Sequence, residues 1–223
     1  MPNYQKSEQT KAKIISVTKE LLESKGFNGV TVRDICKEAD VSLSMLNYHF
    51  GSKDGLYFQI LQSLPNKIVE ALIEWYPDLK NEPKPVSDLA FTLILLDALM
   101  VDNEFMKTYR LMYRQPFIQN YIKGSIKKQL SKYHEHAGRV ASEQLTEVYS
   151  TSFAAAITSV TDEESYALLS KDPERTKMAI QNLFIHFYLI KKNPKAITDR
   201  TLAISDSLKI KMSGFDSFEL IHP

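Results

Sequence analysis

The stretch that decides the fold runs Thr31-Val32-Arg33-Asp34-Ile35-Cys36-Lys37-Glu38-Ala39-Asp40-Val41-Ser42-Leu43-Ser44-Met45-Leu46-Asn47-Tyr48-His49-Phe50-Gly51-Ser52-Lys53. Thr31 is placed to cap a helix, and Asp34, three residues on, can reach back to it in a capping box. That helix is short and ends near Ala39. Asp40-Val41-Ser42 reads as a tight turn, because aspartate tolerates a left-handed backbone better than most residues. Ser42 can cap a second short helix, Leu43 to His49. Gly51-Ser52 breaks the chain again, and Ser52 can cap a further helix opening at Lys53. Two short helices joined by a three-residue turn are a helix-turn-helix. Its working parts are a small residue at the crossing, Ala39, a core of Val32, Ile35, Val41, Leu46 and Phe50, and an outer face on the second helix shaped for a major groove.

Upstream, Ile14, Val17, Leu21 and Leu22 share one face of a helix from about Glu8 to Lys25, closed by Gly26 as a left-handed cap with Phe27 folding back. Downstream, the fourth helix continues past Leu56 and Leu61 towards Trp75. Pro65 lies inside it, and proline deletes a helical hydrogen bond, which predicts a kink or break there. A loop is expected from Pro77 through Pro85. Helices are then expected at about 87–101, 104–114, 117–136, 139–160, 172–192 and 198–212. The expected class is all-α: a helix-turn-helix DNA-binding domain, residues 1–52, followed by a helical ligand-binding and dimerisation domain, residues 53–223.

Composition agrees with that class. The chain has 223 residues, 43% hydrophobic and 25% charged, with only 7 glycines, a balance that favours helices over sheet. The net charge is +1, so any positive face for nucleic acid must be local. Cys36 is the single cysteine, which excludes an internal disulfide, and it reads as packing. The N-terminus lacks a signal-peptide pattern. The longest apolar run, Ala90 to Val101, is interrupted by Thr92 and Asp97 and is too short to span a bilayer. A cytoplasmic protein without membrane contact is expected.

The segment 31–42, with Leu46-Asn47-Tyr48-His49-Phe50-Gly51-Ser52-Lys53-Asp54-Gly55-Leu56, resembles the DNA-binding domain of the TetR family of bacterial regulators, over roughly residues 8 to 60. The resemblance implies a homodimer on double-stranded operator DNA, with Leu43, Ser44, Met45 and Asn47 facing the groove and Tyr48, His49 and Lys53 at phosphates. Thr31 and Ser42, the caps, join the candidate DNA contacts. The chain departs from the family at Asp40, usually glycine, and at Asn47, often tyrosine. An amide at position 47 can pair bidentately with adenine. Lys6, Lys11 and Lys13 are a candidate basic arm, or a solvated helix face.

Beyond residue 60 the resemblance lies in helicity and length. Tyr109, Arg110 and Tyr113 are candidates for a ligand pocket, or equally the edge of a core. The helices near 141–160 and 174–192 are apolar on more than one side, and the resemblance implies that they form the homodimer interface. An effector of unknown chemistry is expected. The alternative is a DNA-binding protein whose helical domain binds a protein partner and takes no small molecule. No P-loop, nucleophile elbow, zinc spacing or catalytic carboxylate pair is found, so no catalytic residue and no cofactor are assigned. His134-Glu135-His136 is not read as a metal site, because residues two apart on a helix do not share a face.

Overall fold

A computed structural model describes residues 2–136, 143–187 and 193–222. Eleven α-helices and one two-stranded antiparallel hairpin are present among them. Helix α1, Pro2–Gly29, is longer than expected and carries its break inside it, at Gly26 (φ 68°, ψ 172°). That positive φ is why glycine stands there. Its buried side, Ile14, Leu21 and Leu22, packs against α2, Val32–Ala39, which in turn meets α3, Leu43–Phe50.

Helix α4, Lys53–Trp75, runs through Pro65 without the break expected as the alternative to a kink. The reason lies in a neighbouring helix. Proline has no N–H to give the carbonyl four residues back, so Leu61 O is orphaned. The Tyr109 hydroxyl donates to that carbonyl at 2.5 Å and closes the gap. A short 3-10 turn, Pro77–Lys80, then leads into α5, Lys84–Met100. This helix starts earlier than expected, because Pro85 sits in its first turn, where the missing N–H costs nothing. Leu89, Ala90, Leu93, Ile94, Leu96, Ala98 and Leu99 are all buried, which makes α5 the centre of the molecule.

Helices α6, Glu104–Tyr113, α7, Pro116–His136, and α8, Glu143–Ser159, follow the expected spans where residues are described. The expected starts and ends at 139–142 and 188–192 lie outside the described residues. Helix α9, Glu163–Leu169, is not foreseen by the sequence reading. It has a cap at Asp162 but buries no residue fully, so it carries no apolar period to detect. Helix α10 spans Pro173–Phe187.

The C-terminus corrects the sequence reading most. The expected helix over 198–212 is displaced: α11 spans Pro194–Asp206 and stops. Lys209–Met212, as β1, then pairs with β2, Phe218–Ile221, in the register Lys209↔Ile221 to Met212↔Phe218. Four alternating residues are too few to outweigh a helical pattern in sequence. The strand exists because its partner, nine residues on, bonds to it. No described helix is long and apolar enough to cross a membrane.

Candidate nucleic-acid interface

The head is built from its caps. Thr31 Oγ1 accepts from Asp34 N–H at 3.1 Å, and Asp34 Oδ2 accepts from Thr31 N–H at 2.9 Å and from the Thr31 hydroxyl at 2.6 Å. Lys25 Nζ adds an ion pair to Asp34 at 3.1 Å. The Thr31 hydrogen bonds, side chain then backbone, together with the Lys25 bond, pull the Asp34 carboxyl down to about 2. Asp40 takes the left-handed conformation (φ 52°, ψ 51°) that ends α2. Its N–H reaches Lys37 O at 3.2 Å, while Val41 N–H reaches Cys36 O at 3.0 Å. The expected glycine-like role of this residue is met by an aspartate.

Helix α3 starts from Ser42, whose Oγ accepts from Met45 N–H at 3.2 Å and lies 2.8 Å from Ser44 Oγ. Leu46 and Phe50 turn inward with Ile35, Ala39, Val30 and Leu56. Val32 and Val41 are only half-buried at the core's rim. The rest of α3 is open: Leu43 is 55% exposed, Met45 42% and Tyr48 77%, with Ser44 and Asn47 also exposed. Three large side chains left exposed on an eight-residue helix are what a partner surface requires. His49 is half-buried, its ring edge-on to Tyr48 at 5.1 Å, and its Nε2 has no hydrogen-bond partner.

The turn between α3 and α4 is close-packed. A Cβ at Gly55 would stand 2.0 Å from Phe50 O, so only glycine lets the first turn of α4 approach the end of α3. Ser52 Oγ caps α4 by accepting from Gly55 N–H at 3.1 Å. Lys53 is placed differently from the sequence reading. Its Nζ donates to Val30 O at 2.5 Å and lies 5.0 Å from the Tyr57 ring centroid, and burial pulls its ammonium below the usual lysine range. The side chain therefore ties α4 to the α1–α2 corner. Of the candidate arm, Lys6 and Lys13 are exposed and Lys11 is half-buried.

A second feature lies in the helical body. Helices α4, α5 and α7 line a partly open cavity of about 730 Å³, with Phe153, Ile157 and Phe184 also in its wall. Phe58, Phe91 and Tyr121 give it an aromatic wall, and Gln62, Thr92 and Ser125 offer polar groups. At its rim Lys84 pairs with Asp88, and Arg200 with Glu82 at 2.7 Å. Of the three predicted pocket residues, Tyr113 lines this cavity, but Tyr109 and Arg110 do not. Tyr109 is fully buried behind Tyr113, ring to ring at 5.2 Å, with its hydroxyl engaged at Leu61. Arg110 caps the end of α5 through Leu99 O at 2.8 Å and Val101 O at 3.0 Å, under the Tyr166 ring at 4.0 Å. The sequence reading missed Phe58, Phe91 and Tyr121, because a half-buried aromatic on a helix has the same spacing whether it faces a void or a neighbour. No group of potential metal ligands is found among the described residues, and in 134–136 His134 is buried while Glu135 is exposed.

Comparison with known proteins bears on both parts. The family model described as "Bacterial regulatory proteins, tetR family" matches residues 14–60. The probable HTH-type transcriptional regulator YttP of Bacillus subtilis is 47% identical over 47 residues, 21% of this chain and 23% of that protein. The HTH-type transcriptional regulator QacR of Staphylococcus aureus is 26% identical over 122 residues, 55% of this chain and 61% of that protein. The chain thus spans about a quarter and about three-fifths of these two relatives. The solved structure of RolR in complex with resorcinol superposes with a TM-score of 0.50 at 14% identity, covering 89% of this chain and 95% of that one, a likeness of fold.

Proposed function

We propose that the chain, whose residues 14–60 match the model of the TetR family of bacterial regulators, is a ligand-responsive repressor of that family that binds a palindromic operator as a homodimer in the cytoplasm. The observation that carries the reading is the exposed surface of α3, where Leu43, Met45 and Tyr48 stand out from a short helix capped at both ends. Residues up to about 52 form the DNA-binding unit and the rest the ligand-binding and dimerisation unit. Leu43, Ser44, Met45 and Asn47 face the major groove. Tyr48 and His49 lie at phosphates, with the helix caps Thr31 and Ser42 beside the backbone. Lys53 reaches a phosphate once it leaves Val30.

The dimer uses α8 and α10. Leu145, Val148 and Ala155 on the first, and Met178 and Ala179 on the second, are exposed although apolar, with small residues that let helices approach closely. The cavity is the effector site. Its aromatic wall, with polar side chains such as Gln62, Asn66, Ser125 and Gln129 among it, suits an apolar or aromatic molecule that also carries hydrogen-bonding functions. A cavity of this size favours an effector over the reading in which the body binds only a protein. Occupancy acts by favouring a spacing of the two heads that no longer fits DNA, which requires different effector affinity in the two states.

The test is in vitro selection from random duplex DNA with the intact chain, followed by a salt titration of the selected site. A two-fold symmetric site with half-sites about 34–36 Å apart is expected. Recovery of no duplex above non-specific affinity overturns the reading.

A further inference from the structure

The tip of the C-terminal hairpin, residues 213–217, gathers charges from parts of the chain far from it in sequence. Asp216 is 8% exposed. Its carboxylate accepts from Lys19 Nζ of α1 at 2.6 Å and from the Ser63 hydroxyl of α4. Lys67 Nζ, one turn further along α4, lies 3.3 Å from the same carboxylate and donates to Asp216 O at 3.0 Å. One carboxylate thus joins the first helix of the head to the helix that leads out of it. The tip itself is held rigid: Ser213 N–H and Gly214 N–H both bond Ser217 O, at 2.8 and 3.2 Å. Phe215, next to Asp216, is buried against Tyr109, ring centroids 6.4 Å apart.

The position of this cluster on α4 matters. Ser63 and Lys67 share one face of the helix, while Gln62, Pro65, Asn66 and Val69 line the cavity from another. Tyr113 of the cavity wall stacks on Tyr109, and Tyr109 touches both Leu61 O and Phe215. Cavity, helix and clamp are therefore in direct contact. We propose that Asp216 is a positioning residue that clamps the DNA-reading head to α4, so that the C-terminal hairpin sets the angle at which the head is held and passes changes at the cavity to α1. The proposal rests on the DNA-binding reading above. Removing the charge releases α1 from α4 without touching any residue of the recognition helix.

The test uses two conservative variants of the intact chain, Asp216→Asn and Lys19→Met, and their combination. In a Cys36→Ser background, spin labels at Glu38→Cys and Lys128→Cys, both exposed positions, report the head-to-body distance after dilution with unlabelled chain. The expected result is a narrow distance distribution in the parent and a broad one in every variant. Affinity for the duplex selected by the parent falls by about tenfold in each single variant. The double variant is no weaker than Asp216→Asn alone, because the Lys19–Asp216 pair is already lost in that variant. An unchanged distance distribution in Asp216→Asn, or losses of affinity that add, overturns the clamp. If the parent selects no duplex, the DNA-binding reading fails, and the distance measurement still decides the clamp.

Discussion

At the scale of single residues, three side chains of the head carry measurable consequences. Asp34 is held at about 2 against an ordinary 3.8 by the Thr31 hydrogen bonds and Lys25. A carboxylate held below its unfolded value stabilises fully above that value and loses the contribution as pH falls through the folded one. Protection of the Thr31 and Asp34 amides from exchange should therefore decline between pH 3.8 and about 2, and Asp34→Asn should remove that step. If the head binds DNA as proposed, Lys53 and Asn47 should separate affinity from specificity. Lys53→Ala should weaken binding to all duplexes alike and flatten the log-affinity against log-salt slope by roughly 2, one phosphate per protomer. It should also loosen the α1–α2 corner, since the bond to Val30 O is lost. Changing Asn47 to Ala should instead alter preference at one base pair per half-site by about 1–3 kcal/mol and leave the slope intact. A change of sequence preference in Lys53→Ala with an unchanged slope would place the head wrongly on DNA.

At the scale of elements, α4 and α6 depend on one another through a deleted hydrogen bond. Pro65 leaves Leu61 O without its helical partner, and Tyr109 supplies the replacement. Tyr109→Phe should destabilise the chain by about 1–3 kcal/mol in denaturant unfolding, because a buried carbonyl is left unsatisfied. In a Pro65→Ala background the same change should cost less, since alanine at that position brings back an N–H for Leu61 O. Additive losses in this double-mutant cycle would show that the two residues act independently. The same logic links α5 to α6, where Arg110 serves as the cap that Val101 cannot provide.

At the scale of the whole molecule, two groups stand out among the exposed apolar residues. Leu43, Met45 and Tyr48 lie on the head, and Leu145, Val148 and Met178 on α8 and α10. If the second group is the dimer interface, Val148→Asp with Met178→Asp should yield a monomer by light scattering at micromolar concentration. The helical signal should stay near that of the parent, because these side chains are outside the core. Operator affinity should fall steeply, since two half-sites are no longer bound together. A dimer surviving both changes would move the interface elsewhere.

The sequence by itself determined the head. Caps, turn and core of the helix-turn-helix lie within about twenty residues, so every hydrogen bond that shapes them is local: Thr31 with Asp34, Ser42 with Met45, Ser52 with Gly55. The spacing of those residues is therefore the structure's own specification, and the left-handed Asp40 was readable from its place in the turn. Tertiary structure alone decided the rest. Pro65 predicts a break in sequence, and a tyrosine 44 positions later removes it. Residues 209–212 gain their strand from pairing with 218–221, and Asp216 gains its partners from residues 149 to 197 positions away. Tyr109 and Arg110 carry pocket-like chemistry, yet their polar groups were claimed by backbone carbonyls of other helices. A cavity is bounded by what packing leaves unfilled, and that depends on the relative placement of several helices, which no periodicity along one of them records.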